Sequence, residues 1–281
     1  MVFRFQPDYR SRSLHQRKMW SDVHIHSHFS PDAHHSIDDL CRRALDLGLG
    51  TIAITDHVEW RRQSYGNTDL EGYFEEIWEA QAVYQPLGLT VMSGVELGNP
   101  HQYPSRVSAL LSIYPFEVVI ASLHWLGEDN VHQESIFHGR SPGSVYRRYF
   151  LELSALIEGG DFDILAHPDR IFWMGLQLGH PPDLDQIGPL IDAFTQRLAS
   201  RGLALEFNTK YLDQHPRWND LALTLLRSYR AAGGTRVVVN SDAHRPEEMG
   251  RSFSRAGELL IQAGFSDSAH LIPSAQSALL P

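Results

Sequence analysis

The sequence predicts an α/β chain whose strands run parallel and close into a barrel. Two observations carry this expectation. Short apolar runs of strand length alternate with longer segments of helical spacing, giving seven β-then-α units in order, and such alternation builds a parallel sheet. The length of 281 residues suits one barrel domain better than an open sheet with a second domain.

The strand-like runs are 22–26, 51–55, 89–95, 117–122, 163–166, 203–207 and 235–240. In the first helical segment, 37–47, Ile37, Leu40, Ala44 and Leu47 fall on one face. Segments 73–84, 145–157, 187–198, 221–232 and 247–263 also read as helices, and Gly48, Gly88, Gly202 and Gly233 stand where a C-terminal glycine cap belongs. Residues 97–116 and 127–143, rich in Gly, Pro and polar side chains, read as long loops that follow strands. The organisation expected is an N-terminal arm (1–20), a barrel domain (21–270) and a C-terminal tail (271–281).

Composition narrows the class. Hydrophobic residues make up 42% of the chain, enough for a packed core. No apolar run approaches the ~18–20 residues that span a bilayer, and no apolar stretch follows the basic first twenty residues as a secretory signal would require. A soluble protein is expected, and the single cysteine, Cys41, fits a reducing cytoplasm. The net charge of −10 disfavours a nucleic-acid partner and leaves room for a local basic pocket.

The 16 histidines are unusual, and many stand alone after apolar runs. His24 and His26 lie two apart on the first strand and so face the same way. Asp32 follows in the loop, His57 comes directly after the second strand, and Glu96 ends the third. His124 and His167 end the fourth and fifth, and Asp242 and His244 follow the seventh. A parallel barrel gathers these C-terminal strand ends at one rim. Any one of these residues has a structural reading, such as a strand-end cap or a turn in which Asp56 bonds nearby amides. Six of seven strands carrying a ligand type at the same end is what that reading leaves unexplained. Imidazole and carboxylate without thiolate suit Zn²⁺, Mn²⁺ or Fe²⁺, and nine donors are enough for two or three divalent ions.

These motifs carry a family resemblance. Asp22-Val-His24-Ile-His26, Thr55-Asp56-His57, the Glu96 strand end, Ser122-Leu-His124, Ala166-His167-Pro168-Asp169 and Ser241-Asp242-Ala-His244-Arg245-Pro246 together resemble the polymerase-and-histidinol-phosphatase (PHP) superfamily. The match runs from about Asp22 to Phe265, and Glu206-Phe-Asn208-Thr209 points to the histidinol-phosphate phosphatase branch. The resemblance implies a distorted (β/α)₇ barrel with a trinuclear metal cluster. It places the first metal on His24, His26, Glu96 and Asp242, with Glu96 bridging to a second held by His124 and His167. Asp32, His57 and His244 would hold the third. Asp32 departs from relatives that carry histidine there, which makes the third site's occupancy the open point.

The reaction implied is hydrolysis of L-histidinol phosphate to L-histidinol and phosphate by a metal-activated hydroxide. Asp242, His244 and Arg170 are the expected catalytic residues, and Arg170, Lys210 and Arg245 the expected cationic contacts to the phosphate. Arg61, Arg62 and Arg140 sit in loops within reach of the rim but are better explained as surface cations. Trp60, Trp125 and Trp173 each follow a ligand position and would wall the pocket or pack in the core. Alternatives are a related phosphoesterase acting on another small phosphate or nucleotide, a DNA-processing nuclease, and a metal-binding protein without catalysis. The nuclease lacks a basic stripe with interleaved aromatics, and the last gives the cations beside the ligands no purpose.

Overall fold

A computed structural model describes residues 20–61, 68–215 and 217–266. Its strands are β1 (Ser21–Ile25), β2 (Thr51–Val58), β3 (Thr90–Gly98), β4 (Val118–Ser122), β5 (Trp125–Leu126), β6 (Asp129–Asn130), β7 (Ile164–Leu165), β8 (Ala204–Asn208) and β9 (Val237–Asn240). Seven of them pair in parallel in the order β1-β2-β3-β4-β7-β8-β9, while β5 and β6 form a separate antiparallel ribbon. The helices are α1 (Ile37–Leu47), α2 (Leu70–Tyr84), α3 (Pro104–Ile113), α4 (Pro142–Gly159), α5 (Arg170–Gln177), α6 (Leu184–Ser200), α7 (Trp218–Ala231) and α8 (Phe253–Gln262).

The sheet nearly closes into a barrel, and its seam explains the distortion. Between β9 and β1 the only backbone bridge is Ile25 to Ala243, where the His26 amide donates to the Ala243 carbonyl at 2.8 Å. Side chains complete the seam. Asn240 Oδ1 accepts from the Val23 amide at 3.0 Å, and Asp22 Oδ1 accepts from the Ser241 amide at 3.0 Å. Buried amides must find partners, and here two carboxamide or carboxylate side chains supply what a full ladder would.

Period-two alternation then sorts the strand residues, except on β1, where the register shifts between Asp22 and Ile25 and lets Val23 and His24 both face inward. Ile25, Ile52, Ile54, Val95, Leu205 and Val239 belong to the large core shared with the surrounding helices. Removing such a side chain from water contributes on the order of 1.5–3 kcal/mol. A second, smaller cluster takes Val23, Ala53, Met92, Val118, Ile120, Ile164, Ala204 and Val238, at least one from each of the seven strands. This is the apolar floor of the barrel interior. Gly94 lets β2 and β3 come close, since a Cβ there would lie 2.6 Å from Thr55 Cγ2.

Helix ends follow local rules. Ser36 and Asp39 form a capping box at the start of α1, and Gly48 closes it with φ 70°. Gly88, Gly202 and Gly233 likewise adopt positive φ. Two expectations change. The segment 97–116 is not a loop: β3 extends to Gly98, and α3 follows a short 3-10 turn. Val107 of α3 is buried, and Leu110 and Leu111, three and four residues on, pack against the core; this stripe is short and follows Gly98, Pro100 and Pro104, which read as loop. The single helix expected over 247–263 is instead a 3-10 turn (Pro246–Glu248) and α8, separated by Gly250 and Ser252 at positive φ. The Gly250 amide is tied to Asp22 Oδ2 at 3.0 Å, a long-range bond that overrides helical spacing. Helix α5 was not foreseen. Residues 1–19 of the expected arm and the tail 271–281 lie outside the described residues, whereas Trp20 packs on Phe253 with ring centroids 5.4 Å apart. Among the described residues no helix is long and apolar enough to cross a membrane.

Candidate metal centre

Beyond the apolar floor the inward side chains turn polar, and this layer forms the site. β1 supplies His24, β2 His57, β3 Glu96 and β8 Glu206, while His26, His124, His167 and Asp242 stand just past β1, β4, β7 and β9. All eight are buried. They open on a cavity of about 210 Å³ whose wall includes His57, Glu96, His124, His167, Asp242 and His244. His57 and Glu96 lie within their strands, one and two residues short of the ends, not after or at them.

Glu96 is the hub. Its Oε1 lies 3.2 Å from His124 Nε2 and 3.0 Å from His167 Nε2, and it accepts a hydrogen bond from Ser122 Oγ. Its Oε2 lies 3.3 Å from His24 Nε2, 3.5 Å from His26 Nε2 and 2.8 Å from His57 Nδ1. Burial would raise the pKa of this carboxyl, but the imidazoles of His24, His57 and His124 outweigh burial and hold it well below the usual range.

Asp242 is the second convergence point. Its Oδ1 lies 3.4 Å from His26 Nε2, 3.8 Å from His24 Nε2 and 3.5 Å from His244 Nδ1. Its Oδ2 receives Arg170 Nη2 at 2.5 Å and Lys210 Nζ at 3.2 Å. Burial alone would favour the protonated acid, yet Lys210 and the histidines keep it ionised. Asp32, at the half-exposed rim, sits 3.6 Å from His57 Nε2 and 3.2 Å from His244 Nε2. The backbone is strained at two of these positions: His167 has φ 28° and Asp242 φ 52°. Non-glycine residues adopt such values at a cost of about 1–3 kcal/mol, and functional sites are where that strain is kept.

The donor set fits divalent metal ions. Four triplets hold one ligand atom each within 4.8 Å of the others: His24, His26 and Asp242; His24, Glu96 and His167; His57, Glu96 and His124; and His26, His57 and His244. His24 Nε2, His26 Nε2, His57 Nδ1 and Glu96 Oε2 are buried without a hydrogen-bond partner, although they face one another. Buried polar atoms left unpaired cost about 1–3 kcal/mol each, and several aimed at one point are explained by a cation between them. Burial and the neighbouring Arg170 push His167 down to about 4, so at neutral pH its imidazole is uncharged, the form that ligates metals.

A supporting layer orients the ring nitrogens, and sequence reasoning left it unassigned. Glu206 Oε1 lies 2.7 Å from His24 Nδ1 and its Oε2 accepts from the His167 amide at 2.8 Å, so one carboxylate fixes two candidate ligands. Glu59 bonds His124 Nδ1. Asp56 accepts from the Ser27 amide at 2.8 Å and from the hydroxyls of Ser27 and Ser30. Glu206 was signalled by its place in the Glu206-Phe-Asn208-Thr209 motif on the sixth barrel strand, without a role assigned to it, and Glu59 had no signal. Carboxylates that hold metal-ligating histidines typically change affinity or activity by 10- to 100-fold when lost. Glu206→Gln is therefore expected to weaken zinc affinity by roughly tenfold or more. Competition with a chelator of known affinity checks this, and an unchanged zinc dissociation constant would remove Glu206 from the supporting layer.

The remaining candidates divide. Arg170 and Lys210 line the cavity, as does Trp125. Arg245 is exposed and not among the lining residues. Arg61 pairs with Glu128 and lies over Trp125 at 5.8 Å, and Arg140 is used by its own loop, bonding Asp129 at 2.8 Å and the Ile136 carbonyl at 2.9 Å. Arg62 lies outside the described residues. Trp60 packs on Tyr103 and Trp173 on Tyr211, both away from the cavity wall. His132 and Asn130 also line the cavity, brought there by the β5–β6 ribbon, which sequence periodicity does not reveal.

Residues 22–210 match the family model of the PHP domain. The chain belongs to the PHP domain family. Within it the chain groups with the histidinol-phosphatase branch. It is 30% identical over 251 residues to a probable histidinol-phosphatase of Deinococcus radiodurans, covering 86% of this chain and 93% of the relative. It is 26% identical over 251 residues to the histidinol-phosphatase of Lactococcus lactis, covering 88% and 93%. The fold of this PHP chain is also that of the Lactococcus lactis histidinol phosphate phosphatase crystallised with zinc, L-histidinol and phosphate. That comparison gives a TM-score of 0.78 and 24% identity, and covers 88% of this chain and 94% of the other.

Proposed function

We propose that this PHP-family chain is a metal-dependent phosphatase that hydrolyses L-histidinol phosphate to L-histidinol and phosphate. The observation that carries the reaction class is the meeting of two side-chain cations with the donor cluster: Arg170 and Lys210 both reach Asp242 Oδ2 at the wall of the cavity. A bare metal-binding scaffold has no use for two cations beside its ligands, one of them buried, whereas a phosphoryl group needs charge neutralisation on several oxygens. The names of the relatives, and the zinc, histidinol and phosphate in the Lactococcus lactis structure, support the choice of ester.

In this reading His24, His26, Glu96 and Asp242 would hold one ion, His124 and His167 with Glu96 a second, and Asp32, His57 and His244 a third. Divalent ions bound there neutralise phosphoryl oxygens and activate a water for attack on phosphorus. Asp242 and His244 would serve the reaction as ligands, since Asp242 Oδ1 faces His26 and His24, and His244 faces Asp32 and Asp242. Arg170 offers a planar fork to two phosphoryl oxygens, and Lys210 adds a point charge on a mobile stem. Glu206 and Glu59 hold the ligand imidazoles in place while substrate enters and leaves. Arg245, exposed and outside the cavity wall, is not placed among the phosphate contacts in this reading.

The substrate is tested by phosphate release from the zinc- or manganese-loaded protein. L-histidinol phosphate, a nucleoside monophosphate and p-nitrophenyl phosphate would be compared. The expected kcat/KM is highest on L-histidinol phosphate, by at least about tenfold. An equal or higher value on another ester would sink the substrate assignment and leave the phosphatase reading standing.

A further inference from the structure

We propose that Tyr211 is a positioning residue that presents the Arg170 guanidinium to the phosphoryl group; this rests on the reading of Arg170 given above. Arg170 opens α5, and its side chain is almost wholly enclosed, 4% exposed. Nη2 donates to Asp242 Oδ2 at 2.5 Å, while Nη1 donates to the Tyr211 hydroxyl at 2.8 Å. The guanidinium carbon also lies 5.0 Å from the centroid of the Tyr211 ring.

The Tyr211 ring is itself fixed. It stacks on Trp173 at 4.2 Å with 6° between planes, and Trp218 meets it edge-on at 5.7 Å and 80°. Trp173 stands three residues after Arg170 on the same helix, so the two side chains lie on one face and reach the same tyrosine. Trp218 is 1% exposed and anchors the stack in the core.

An arginine beside a lone carboxylate tends to engage it with both arms, which would fold Arg170 onto Asp242 and away from a substrate. Tyr211 occupies Nη1 with a hydroxyl and the guanidinium with its ring, so that only Nη2 reaches Asp242. Rotamer freedom is spent before phosphate arrives, which lowers the ordering cost of binding it. Its chain neighbour Lys210 meets the same Asp242 oxygen, so residues 210 and 211 set both cations from one turn after β8.

Tyr211→Phe keeps the ring and its stack while removing the hydroxyl. Calorimetric binding of inorganic phosphate to the zinc-loaded protein and kcat/KM on L-histidinol phosphate would be measured in four proteins: wild type, Tyr211→Phe, Arg170→Ala and the double variant. Tyr211→Phe is expected to lower kcat/KM about tenfold and to weaken phosphate binding in parallel, with zinc content and melting temperature unchanged. In the Arg170→Ala background the same substitution should cost less than about twofold, because the group it positions is gone. Equal losses in both backgrounds, or no loss in either, would overturn the proposal. If the wild type does not hydrolyse L-histidinol phosphate, the substrate assignment fails, and the phosphate-binding cycle still decides the role of Tyr211.

Discussion

Glu96→Gln is expected to strip the protein of most of its metal and to lower turnover by at least about a hundredfold. The carboxylate faces five imidazoles, His24, His26 and His57 on one oxygen and His124 and His167 on the other. Glutamine has nearly the same volume, so the barrel should fold with its floor intact. It carries no charge, however, and its amide nitrogen would aim hydrogens at atoms that must offer lone pairs to a cation. The oxygen that remains can serve one ion but cannot neutralise two. Elemental analysis beside steady-state kinetics checks this. A variant with full metal content and wild-type turnover would show that Glu96 is not the bridge.

Arg170→Ala should leave the metals in place and reduce kcat/KM by roughly tenfold to a hundredfold. The estimate follows from losing a charge-assisted contact worth about 1.5–3 kcal/mol in the transition state. Arg170 is not placed as a ligand, and the two predictions separate on that point: Glu96→Gln loses metal, Arg170→Ala does not. The substitution also frees Asp242 Oδ2 of its shortest partner, leaving Lys210 at 3.2 Å as its remaining cation. Arg170→Lys is expected to recover part of the loss, since it restores charge without the planar fork. Unchanged kinetics in Arg170→Ala would move the phosphate-binding role to Lys210.

Much of this was legible in the chain because a parallel barrel converts order in sequence into position in space. The spacing of His24-x-His26 put both imidazoles on one face, and the strand-end histidines needed only the rule that all C-terminal ends share a rim; the register shift on β1 that turns His24 inward beside Val23 left no mark in the sequence. The histidine-rich pattern was strong because a core has little use for so many imidazoles. What stayed hidden depends on contacts between distant residues. Glu206 reads as an ordinary strand carboxylate until His24, 182 residues away, is brought to 2.7 Å. The break before α8 is set by Asp22 gripping the Gly250 amide, 228 residues along the chain, against a helical spacing that runs straight through it. α3 was missed for a local reason, since its stripe of Val107, Leu110 and Leu111 is short and follows Gly98, Pro100 and Pro104, which read as loop. Arg245 stood beside a ligand and Arg170 three residues past one, with Arg170 the stronger candidate, and the structure separates them further: Arg245 is exposed at a turn, whereas Arg170 opens a helix at the cavity wall.

The central claim is that this donor cluster, loaded with metal, cleaves a phosphate ester. The direct measurement is phosphate release from L-histidinol phosphate by protein stripped of metal with a chelator and then titrated with Zn²⁺. The account predicts no turnover by the stripped protein and activity that rises with added zinc to saturate at two to three equivalents per chain. Full turnover by the metal-free protein, or none at any zinc loading on this or any other phosphomonoester, would contradict it.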